Sequence, residues 1–353
     1  MSSRALAVSL ALLAACAPRF DPRLAEAPIA GRSWVSTEHL SHPLVGKIWD
    51  PRAARFVDEA TLTAAIASAD FVALGEVHDN PDHHLLQARL VRAGTAAGRR
   101  PALAFEMLTA DQQPAIDAAL ARAPKDPDAL AETWQASRWP NFRYYRPILA
   151  AGLDVGLPIV AANLPREQVK GIVAKGKDAL DEALRGRLAR EEPIPDEMAA
   201  ELRDEMEESH CGELPETMLD PLVLAQRARD ARMAERMVTA GAGRGAILIA
   251  GKGHARVDRG VPALVAKDEP GKKVVGIAFE EVSDEANEPA GYEQDWGKGP
   301  LPFDFVVFTP ATTREDPCAG MRRHMEKKRA AAKKDTAPGA AGAAPGAAKP
   351  ATP

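Results

Sequence analysis

The stretch "ALGEVHDNPDHHLLQ" (residues 73–87) predicts the end of a buried strand followed directly by a helix. Its apolar start lacks the alternation of a half-exposed strand, as expected where helices cover both faces of a parallel sheet. Asp79 or Asn80 can cap the following helix, and Pro81 suits its first turn. One glutamate and three histidines lie where the chain leaves the strand, so the same stretch also predicts a functional site.

Other apolar runs have the same character and are separated by helical patterns. Because strands and helices alternate, we expect an α/β fold with a largely parallel central sheet flanked by helices. The segment 166–240 is rich in Glu, Arg and Ala and contains no apolar run, so it predicts a helical cap. The strands expected besides "DFVALGE" (70–76) are "PALAFEM" (101–107), "LPIVAANL" (157–164), "GAILIAG" (245–251), "KVVGIAFEEV" (273–282) and "FDFVVFT" (303–309).

The predicted strands stop at polar side chains. In open α/β sheets, ligands bind in the crevice outside the carboxyl ends of the strands. If the strands are parallel, these side chains meet in one cleft. The groups concerned are Glu76, His78, Glu106, Asn163 and His254.

Three of these groups predict a metal site. His78 and His254 each close a Gly-x-x-His sequence, in which the glycine lets the chain turn sharply as it leaves the sheet. With Glu106 they form a set of two histidines and one carboxylate, which suits Zn²⁺ or another divalent first-row metal. Glu76 is then a further ligand or a general base acting on bound water.

The helix after the first strand adds one more candidate. His84 and Gln87 are three positions apart and share a helix face. The dipole at the start of a helix disfavours a charged histidine, which favours a neutral imidazole at His84 or His83. The alternative is that these histidines are ordinary surface or hydrogen-bonding groups.

The N-terminal segment "MSSRALAVSLALLAAC" predicts a secretory signal. Its apolar run is shorter than the roughly 20 residues that span a bilayer, and it ends at Cys16. The ending Leu-Ala-Ala-Cys resembles the bacterial lipobox, which implies that Cys16 is lipidated and anchors the mature protein to a membrane. Because Ala17 rather than an aspartate follows, the outer membrane is the expected location. The alternatives are an ordinary signal peptide with a chance cysteine, or a short buried helix.

Low-complexity segments flank the expected domain. Residues 17–44 show no sustained period and are predicted to be a tether. Residues 319–353 begin basic and end as an Ala/Pro/Gly-rich tail, a composition that cannot bury a core. The folded domain is therefore expected over residues 45–318.

Composition argues against a nucleic-acid partner and leaves the pairing of two cysteines open. The formal net charge is −5 and no basic stripe precedes the tail, so we expect no nucleic-acid surface. Apart from Cys16, the chain has Cys211 and Cys318. In an oxidising compartment these two cysteines form either a disulfide or two free buried thiols.

Five motifs in order carry a family resemblance. They are "LGEVHDNPDHHLLQ", "AFEM", "AANLPRE", "HCGELP" and "AGKGHARVDRGVP". Together they resemble the ChaN-like haem-binding lipoproteins of the Tiki/TraB/erythromycin-esterase-like superfamily. The resemblance covers most of residues 45–318. It implies an α/β sheet with helical additions, haem binding at the surface and a role in iron acquisition. It also implies a haem held between two copies of the protein, with a tyrosine as axial ligand.

The resemblance implies several candidates for the residues that contact haem. The candidate tyrosines are Tyr144, Tyr145 and Tyr292, of which Tyr145 is preferred because its helix has apolar neighbours able to cover a porphyrin face. Arg143 and Arg146 are expected at the propionates, and His210 is the other haem-side candidate. The residues that match the shared motifs are Glu76, His78, His84, Gln87, Glu106, Asn163, His210 and His254.

Two further functions remain open at this point. The same superfamily contains metal-dependent hydrolases, in which Glu76, His84 and Asn163 would be catalytic beside the metal set. A structural role in the cell envelope is the third. The lipobox and the additional motifs favour the haem carrier.

Overall fold

The structure is a computed structural model that describes residues 20–139, 141–316, 318–323 and 325–327. Cys16, the predicted signal and most of the predicted tail lie outside the described residues. Within those residues, one eight-stranded sheet has the order β2-β1-β8-β7-β3-β6-β4-β5. The strands are β1 (Ile48–Asp50), β2 (Arg55–Val57), β3 (Phe71–Glu76), β4 (Ala102–Thr109), β5 (Ile159–Asn163), β6 (Ala246–Gly251), β7 (Val274–Glu281) and β8 (Phe305–Thr309).

The predicted α/β class is confirmed. Strands β3 to β8 pair in parallel, and only β1 and β2 at one edge are antiparallel. The α-helices are α1 (Glu59–Ser68), α2 (Pro81–Gly94), α3 (Gln113–Arg122), α4 (Ala131–Ser137), α5 (Phe142–Asp154), α6 (Arg166–Lys175), α7 (Glu182–Ala189), α8 (Asp196–Ser209), α9 (Leu219–Gly241) and α10 (Val261–Asp268). Short 3-10 helices are Pro22–Glu26, Ala96–Gly98, Ala110–Gln112, Pro127–Leu130, Gly176–Ala179, Glu216–Met218, Lys252–Ala255 and Pro289–Trp296.

Alternate residues of the central strands feed two cores. In β3, Val72 and Leu74 face a core that includes Leu85 of α2. Phe71 and Ala73 face the opposite core, which is built with α6, α7, α9 and α10. Helices therefore cover both faces, which explains why these strands have no polar alternation.

The segment predicted as a helical cap has no strand in the structure. Helices α6, α7 and α9 instead form part of the layer on one face of the sheet, where Ile172, Leu184 and Met233 are buried. No helix of the described residues is both long enough and apolar enough to span a membrane.

The predicted tether is wrong for residues 20–44, because this segment packs on the domain. Ala25 and Ile29 are buried in the core. The backbone N–H of Ser36 donates to Asp82 Oδ2 at 2.7 Å, at the first turn of α2. The Pro/Ala-rich composition suggested a solvated chain, but its few apolar side chains are enough to hold it against α2.

Candidate functional site

The carboxyl ends of the parallel strands bring the predicted groups to one edge. Glu76 is the last residue of β3 and pairs in register with Gly251, the last residue of β6. Glu106 lies within β4 and Asn163 ends β5. His254 belongs to the 3-10 helix Lys252–Ala255 that follows β6.

The two Gly-x-x-His glycines act through close packing rather than through a turn. Neither Gly75 nor Gly251 has a positive φ angle. A Cβ at Gly75 would lie 2.7 Å from the Cα of Lys252, and a Cβ at Gly251 would lie 3.0 Å from His78 Nε2. Glycine is therefore required because backbone and imidazole approach these positions closely.

Glu76 is the centre of a buried group. Its Oε1 accepts hydrogen bonds from the hydroxyl of Tyr145 at 2.6 Å and from Nδ1 of His78 at 2.8 Å. Nδ1 of His84 lies 2.7 Å from Oε2 as an ion-pair contact, while its hydrogen bond goes to Gln87 Oε1 at 3.2 Å. Burial alone would raise the pKa of Glu76, but the neighbouring His84 and His78 lower it to about 2. Glu76 is thus a carboxylate at neutral pH.

His83 and His84 of α2 are buried, and both form hydrogen bonds inside the protein. Nε2 of His84 faces the carbonyl oxygen of His78 at 3.1 Å, so acceptor oxygens lie at both of its ring nitrogens. His83 Nδ1 accepts from the N–H of Val77, and its Nε2 contacts Thr309 Oγ1 at 2.8 Å. Burial lowers the pKa of His83 well below its usual value. His83 therefore holds the loop after β3 and is not available to a ligand.

Glu106 is the centre of the second buried group. Its Oε2 accepts the backbone N–H of Gly251 at 2.7 Å, and its Oε1 pairs with Arg229 of α9. Nε2 of His254 lies 3.4 Å from the same Oε1. Burial would raise the pKa of Glu106, but His254 and Arg229 hold it well below its usual value.

Two carboxylates hold His254 in its charged form. Its Nδ1 contacts Asp230 Oδ1 at 2.5 Å, opposite the contact with Glu106. Burial would lower the pKa of His254, but the charges of Glu106 and Asp230 raise it to about 9.

The predicted metal site of His78, Glu106 and His254 is not formed. Among the residues that the structure describes, no three His, Cys, Asp or Glu side chains converge as a metal site requires. The reason is that the Arg229 guanidinium and the N–H of Gly251 already occupy both oxygens of Glu106. The described residues therefore do not support the metal prediction, and the metal-dependent hydrolase hypothesis lacks the ligand set that it requires.

Helix α9 supplies groups that the sequence analysis missed. Arg229 Nε contacts Asn163 Oδ1 at 3.2 Å, and Asn163 Nδ2 donates to the carbonyl of Glu106 at 2.9 Å. Gln226, Arg229 and Asp230 lie at positions i, i+3 and i+4, so they share the helix face that meets the strand ends. That spacing was visible in the sequence, but it is also the spacing of an ordinary solvent-facing stripe.

A cleft of about 560 Å³ opens beside the two groups, and we call it the Trp139 cleft. Trp139 lines it, and the Trp139 ring lies 4.6 Å from the ring of His78. Of the described lining residues, none is acidic, although Glu167 pairs with Lys170 nearby. The lining residues are Thr109, Ser137, Arg138, Trp139, Asn163, Leu164, Arg166, Val169, Lys170 and Arg229. A separate cavity of about 390 Å³, beside Asp70 and Gly245 at the amino-terminal ends of the strands, involves none of these groups.

The structure contradicts the tyrosine preferred as haem ligand. Tyr145 is 1% exposed, and its hydroxyl is bound to Glu76. Burial and the Glu76 carboxylate hold the pKa of Tyr145 well above its usual value, which disfavours the tyrosinate that binds ferric iron. Tyr292 is also buried, with its hydroxyl bonded to the backbone of Ser283 and Ala286. Tyr144 is half-buried, with its ring against His84.

Two other predicted haem contacts lie apart from the cleft. Arg146 is paired bidentately with Asp128 at 2.7 Å for both bonds, so its guanidinium is already occupied. His210 follows α8, and its Nδ1 bonds the carbonyl of Met206 at 2.8 Å. The hydrogen bonds of these two side chains go to Asp128, Ser209 and Met206, none of which lines the cleft.

Cys211 and Cys318 are joined by a disulfide, with their Cα atoms 5.5 Å apart and a sequence separation of 107 positions. The bond ties the turn after α8 to the segment that follows β8. Neither cysteine belongs to the buried groups centred on Glu76 and Glu106.

The fold is similar to that of a solved ChaN structure. A Campylobacter jejuni ChaN, described with cofacial haem binding, superposes with a TM-score of 0.55 at 21% identity and covers 74% of this chain and 95% of that chain. The type III effector HopBA1 gives 0.40 at 14% identity, covering 71% and 93%. Erythromycin esterase EreC gives 0.35 at 17% identity, covering 76% and 82%.

Comparison of the sequence with protein families is more specific. No curated protein matches the sequence significantly. The model of the family described as "Haem-binding uptake, Tiki superfamily, ChaN" matches residues 62–265, which is more than half of the chain. That span contains the two buried groups centred on Glu76 and Glu106, and the described lining of the Trp139 cleft. The chain therefore belongs to the ChaN haem-binding uptake family of the Tiki superfamily.

Proposed function

We propose that this protein binds haem in the Trp139 cleft and carries it as cargo for iron acquisition. The observation that carries the proposal is the composition of the cleft. Trp139, Leu164 and Val169 supply an apolar surface, and the charged lining residues are all cations. Haem is a flat apolar ring with two carboxylates, so this surface matches it in both respects.

Each part of the cleft has a distinct role in this proposal. The indole of Trp139 packs against the porphyrin face, which contributes dispersion and removes apolar area from water. Arg138 and Arg166 receive the propionates, because guanidinium groups pair with carboxylates in a bidentate manner. Lys170 adds positive charge, in part offset by its pair with Glu167.

Two copies are proposed to hold two haems face to face. The support is the cofacial haem binding described for the Campylobacter jejuni relative. A cleft open on one side leaves the second face of the porphyrin exposed, and a second haem with its own protein chain would cover it. Haem loading should then convert monomer to dimer, which light scattering after size exclusion measures.

Anchoring at the outer membrane through Cys16 is also part of the proposal. Its support is the sequence "LLAAC", which resembles a lipobox, at the end of a short apolar run. A lipid anchor keeps a haem carrier at the envelope, where haem enters the cell. A single anchor leaves the folded part outside the bilayer.

Haemin titration tests whether the Trp139 cleft binds haem. The protein from Ala17 onward should shift the Soret band of haemin and saturate. The triple variant Arg138→Gln, Arg166→Gln, Lys170→Gln should bind at least tenfold more weakly, and more so at low salt. A matched control neutralises three paired cations outside the cleft, Arg146→Gln, Lys272→Gln and Lys298→Gln, with the same change in net charge. Equal weakening in both triple variants would mean that the cleft is not the site.

A further inference from the structure

Very little chain joins the proposed anchor at Cys16 to the folded domain. The chain packs on the domain from Phe20 onward, so only residues 17–19 lie between Cys16 and the packed part. An extended chain spans at most about 3.6 Å per residue, so the Cα atoms of Cys16 and Phe20 are no more than about 14 Å apart. A folded chain of this size has a radius of gyration of about 19 Å. The reach of the chain is shorter than that radius, so a lipid on Cys16 brings the side that carries Phe20 to the membrane.

The position of Phe20 is fixed by packing at the start of α5. Its ring centroid lies 5.1 Å from that of Tyr144, the third residue of α5. The 3-10 helix Pro22–Glu26 that follows packs on α2, and its Ala25 is buried in the core. The chain that leads to Cys16 therefore leaves the domain beside the first turn of α5.

This side of the domain adjoins the carboxyl ends of the strands. The ring of Tyr144 stacks on that of His84 with centroids 5.7 Å apart, and Nε2 of His84 lies 3.1 Å from the carbonyl oxygen of His78. His78 follows β3, and its ring lies against Trp139, which lines the cleft. A membrane beside the first turn of α5 is therefore also beside the Trp139 cleft.

The accessible groups at this point suit the headgroup region of a bilayer. Arg143 is exposed, and its guanidinium lies over the ring of Tyr144 and bonds the tyrosine hydroxyl at 3.1 Å. Among the described residues, no carboxylate pairs with Arg143, so its charge is available to a lipid phosphate. Phe20 and Tyr144 are partly exposed, and aromatic rings favour the boundary between lipid and water.

We propose that the side formed by Phe20, Arg143 and Tyr144, which we call the α5 face, rests on the phospholipid headgroups of the membrane that anchors Cys16. The inference rests on the proposed lipid anchor and does not depend on haem. It holds the Trp139 cleft at the bilayer surface and turns the opposite edge of the sheet toward the aqueous phase.

The opposite edge of the sheet has a second cationic surface. Its cavity of about 390 Å³ is lined by Arg99, Arg100, Arg244 and Lys272. Charge alone would favour this surface, which has more cations than the α5 face. The six residues of β3 span about 20 Å between the two edges, which exceeds the reach from Phe20 to Cys16. The short connection therefore selects the α5 face.

A fluorescent label at either end of α5 tests which side faces the bilayer. Arg143→Cys and Asp154→Cys place the label at exposed positions of one helix, about 17 Å apart along its axis. The lipidated protein is reconstituted in phosphatidylethanolamine and phosphatidylglycerol vesicles that carry nitroxide quenchers on their headgroups. The label at position 143 should be quenched at least threefold more strongly than the label at position 154. Equal quenching, or stronger quenching at position 154, overturns the inference.

A longer connection tests whether the short chain sets the orientation. Twenty Gly/Ser residues inserted between Arg19 and Phe20 add a flexible chain with an end-to-end distance of about 25 Å. Quenching at the two positions should then become nearly equal, because either edge of the sheet can reach the membrane. A ratio as high as that of the original chain would contradict the role given to the connection.

Mass spectrometry of the mature protein separates failure of the anchor from failure of the orientation. An unmodified Cys16 refutes the proposed anchor and this inference with it. A lipidated Cys16 combined with equal quenching at the two ends of α5 refutes the α5 face and leaves the anchor in place.

Discussion

The hydroxyl of Tyr145 donates a hydrogen bond of 2.6 Å to the buried carboxylate of Glu76. This bond makes the tyrosine part of the interior, although its motif suggests a surface ligand. It also joins α5, the helix that precedes β5, to the end of β3.

Replacing Tyr145 by Phe should therefore lower the stability of the fold and leave haem binding intact. A hydrogen bond to a charged group contributes roughly 1.5–3 kcal/mol, so the free energy of unfolding should fall by about that amount. Denaturant unfolding measures it, and haemin titration of the folded variant should still saturate. Tyr292→Phe is the control, because its hydroxyl bonds only neutral backbone groups. Loss of haem binding in folded Tyr145→Phe would restore this residue as the ligand.

The pH dependence of stability should carry the signature of His254. Its pKa is raised from 6.5 to about 9, so the stability it contributes is fully present below pH 6.5 and is lost as the pH rises to about 9. Glu76 acts with the opposite sign. Its pKa is lowered from 4.5 to about 2, so its contribution is present above pH 4.5 and is lost as the pH falls to about 2.

Thermal unfolding between pH 5.5 and pH 9.5 checks the alkaline half of this prediction. Wild type should lose midpoint temperature across that range, while His254→Gln should start lower and show a smaller slope. An alkaline slope of the same size in both proteins would assign the loss to other groups.

The disulfide should stabilise the chain mainly by restricting the unfolded state. Because Cys211 and Cys318 are 107 positions apart in sequence, reduction should lower the free energy of unfolding by roughly 2–4 kcal/mol. Urea unfolding with and without reductant measures the difference. The double variant Cys211→Ser, Cys318→Ser should be insensitive to reductant, and a wild type equally insensitive would show that the bond is not formed.

The lipobox prediction concerns residues outside those that the structure describes. Cys16→Ala should release the protein from the membrane fraction, because the modified cysteine is the proposed attachment point. Blocking lipoprotein signal cleavage with globomycin should cause the precursor of wild type to accumulate. A Cys16→Ala protein that still fractionates wholly with membranes argues for a different anchor.

Much of the fold could be predicted because its strands are buried on both faces. Unbroken apolar runs such as 70–76 and 245–251 agree closely with β3 and β6. Strands β1 and β2 were not predicted, since each has three residues and too little sequence for a period to show. Their place in the sheet depends on pairing with β8, which is a tertiary property.

The site was predictable where it depends on strand ends and not where it depends on helix faces. Glu76, Glu106 and His254 follow from the rule that parallel strands end at one edge. Arg229 could not be found this way, because an arginine in a long helix is ordinarily solvated. Its pairing with Glu106 is what turns an expected metal site into an internal ion pair. Tyr145 was misassigned since apolar neighbours on its helix suit a porphyrin face and a protein core equally.

The location of iron in a haem complex would show where the cargo is bound. Crystals grown with haemin, measured at the iron absorption edge, give an anomalous difference peak that marks the metal without assuming any model of the ligand. One peak per chain is expected in the Trp139 cleft. A peak outside that cleft would contradict the proposed haem site.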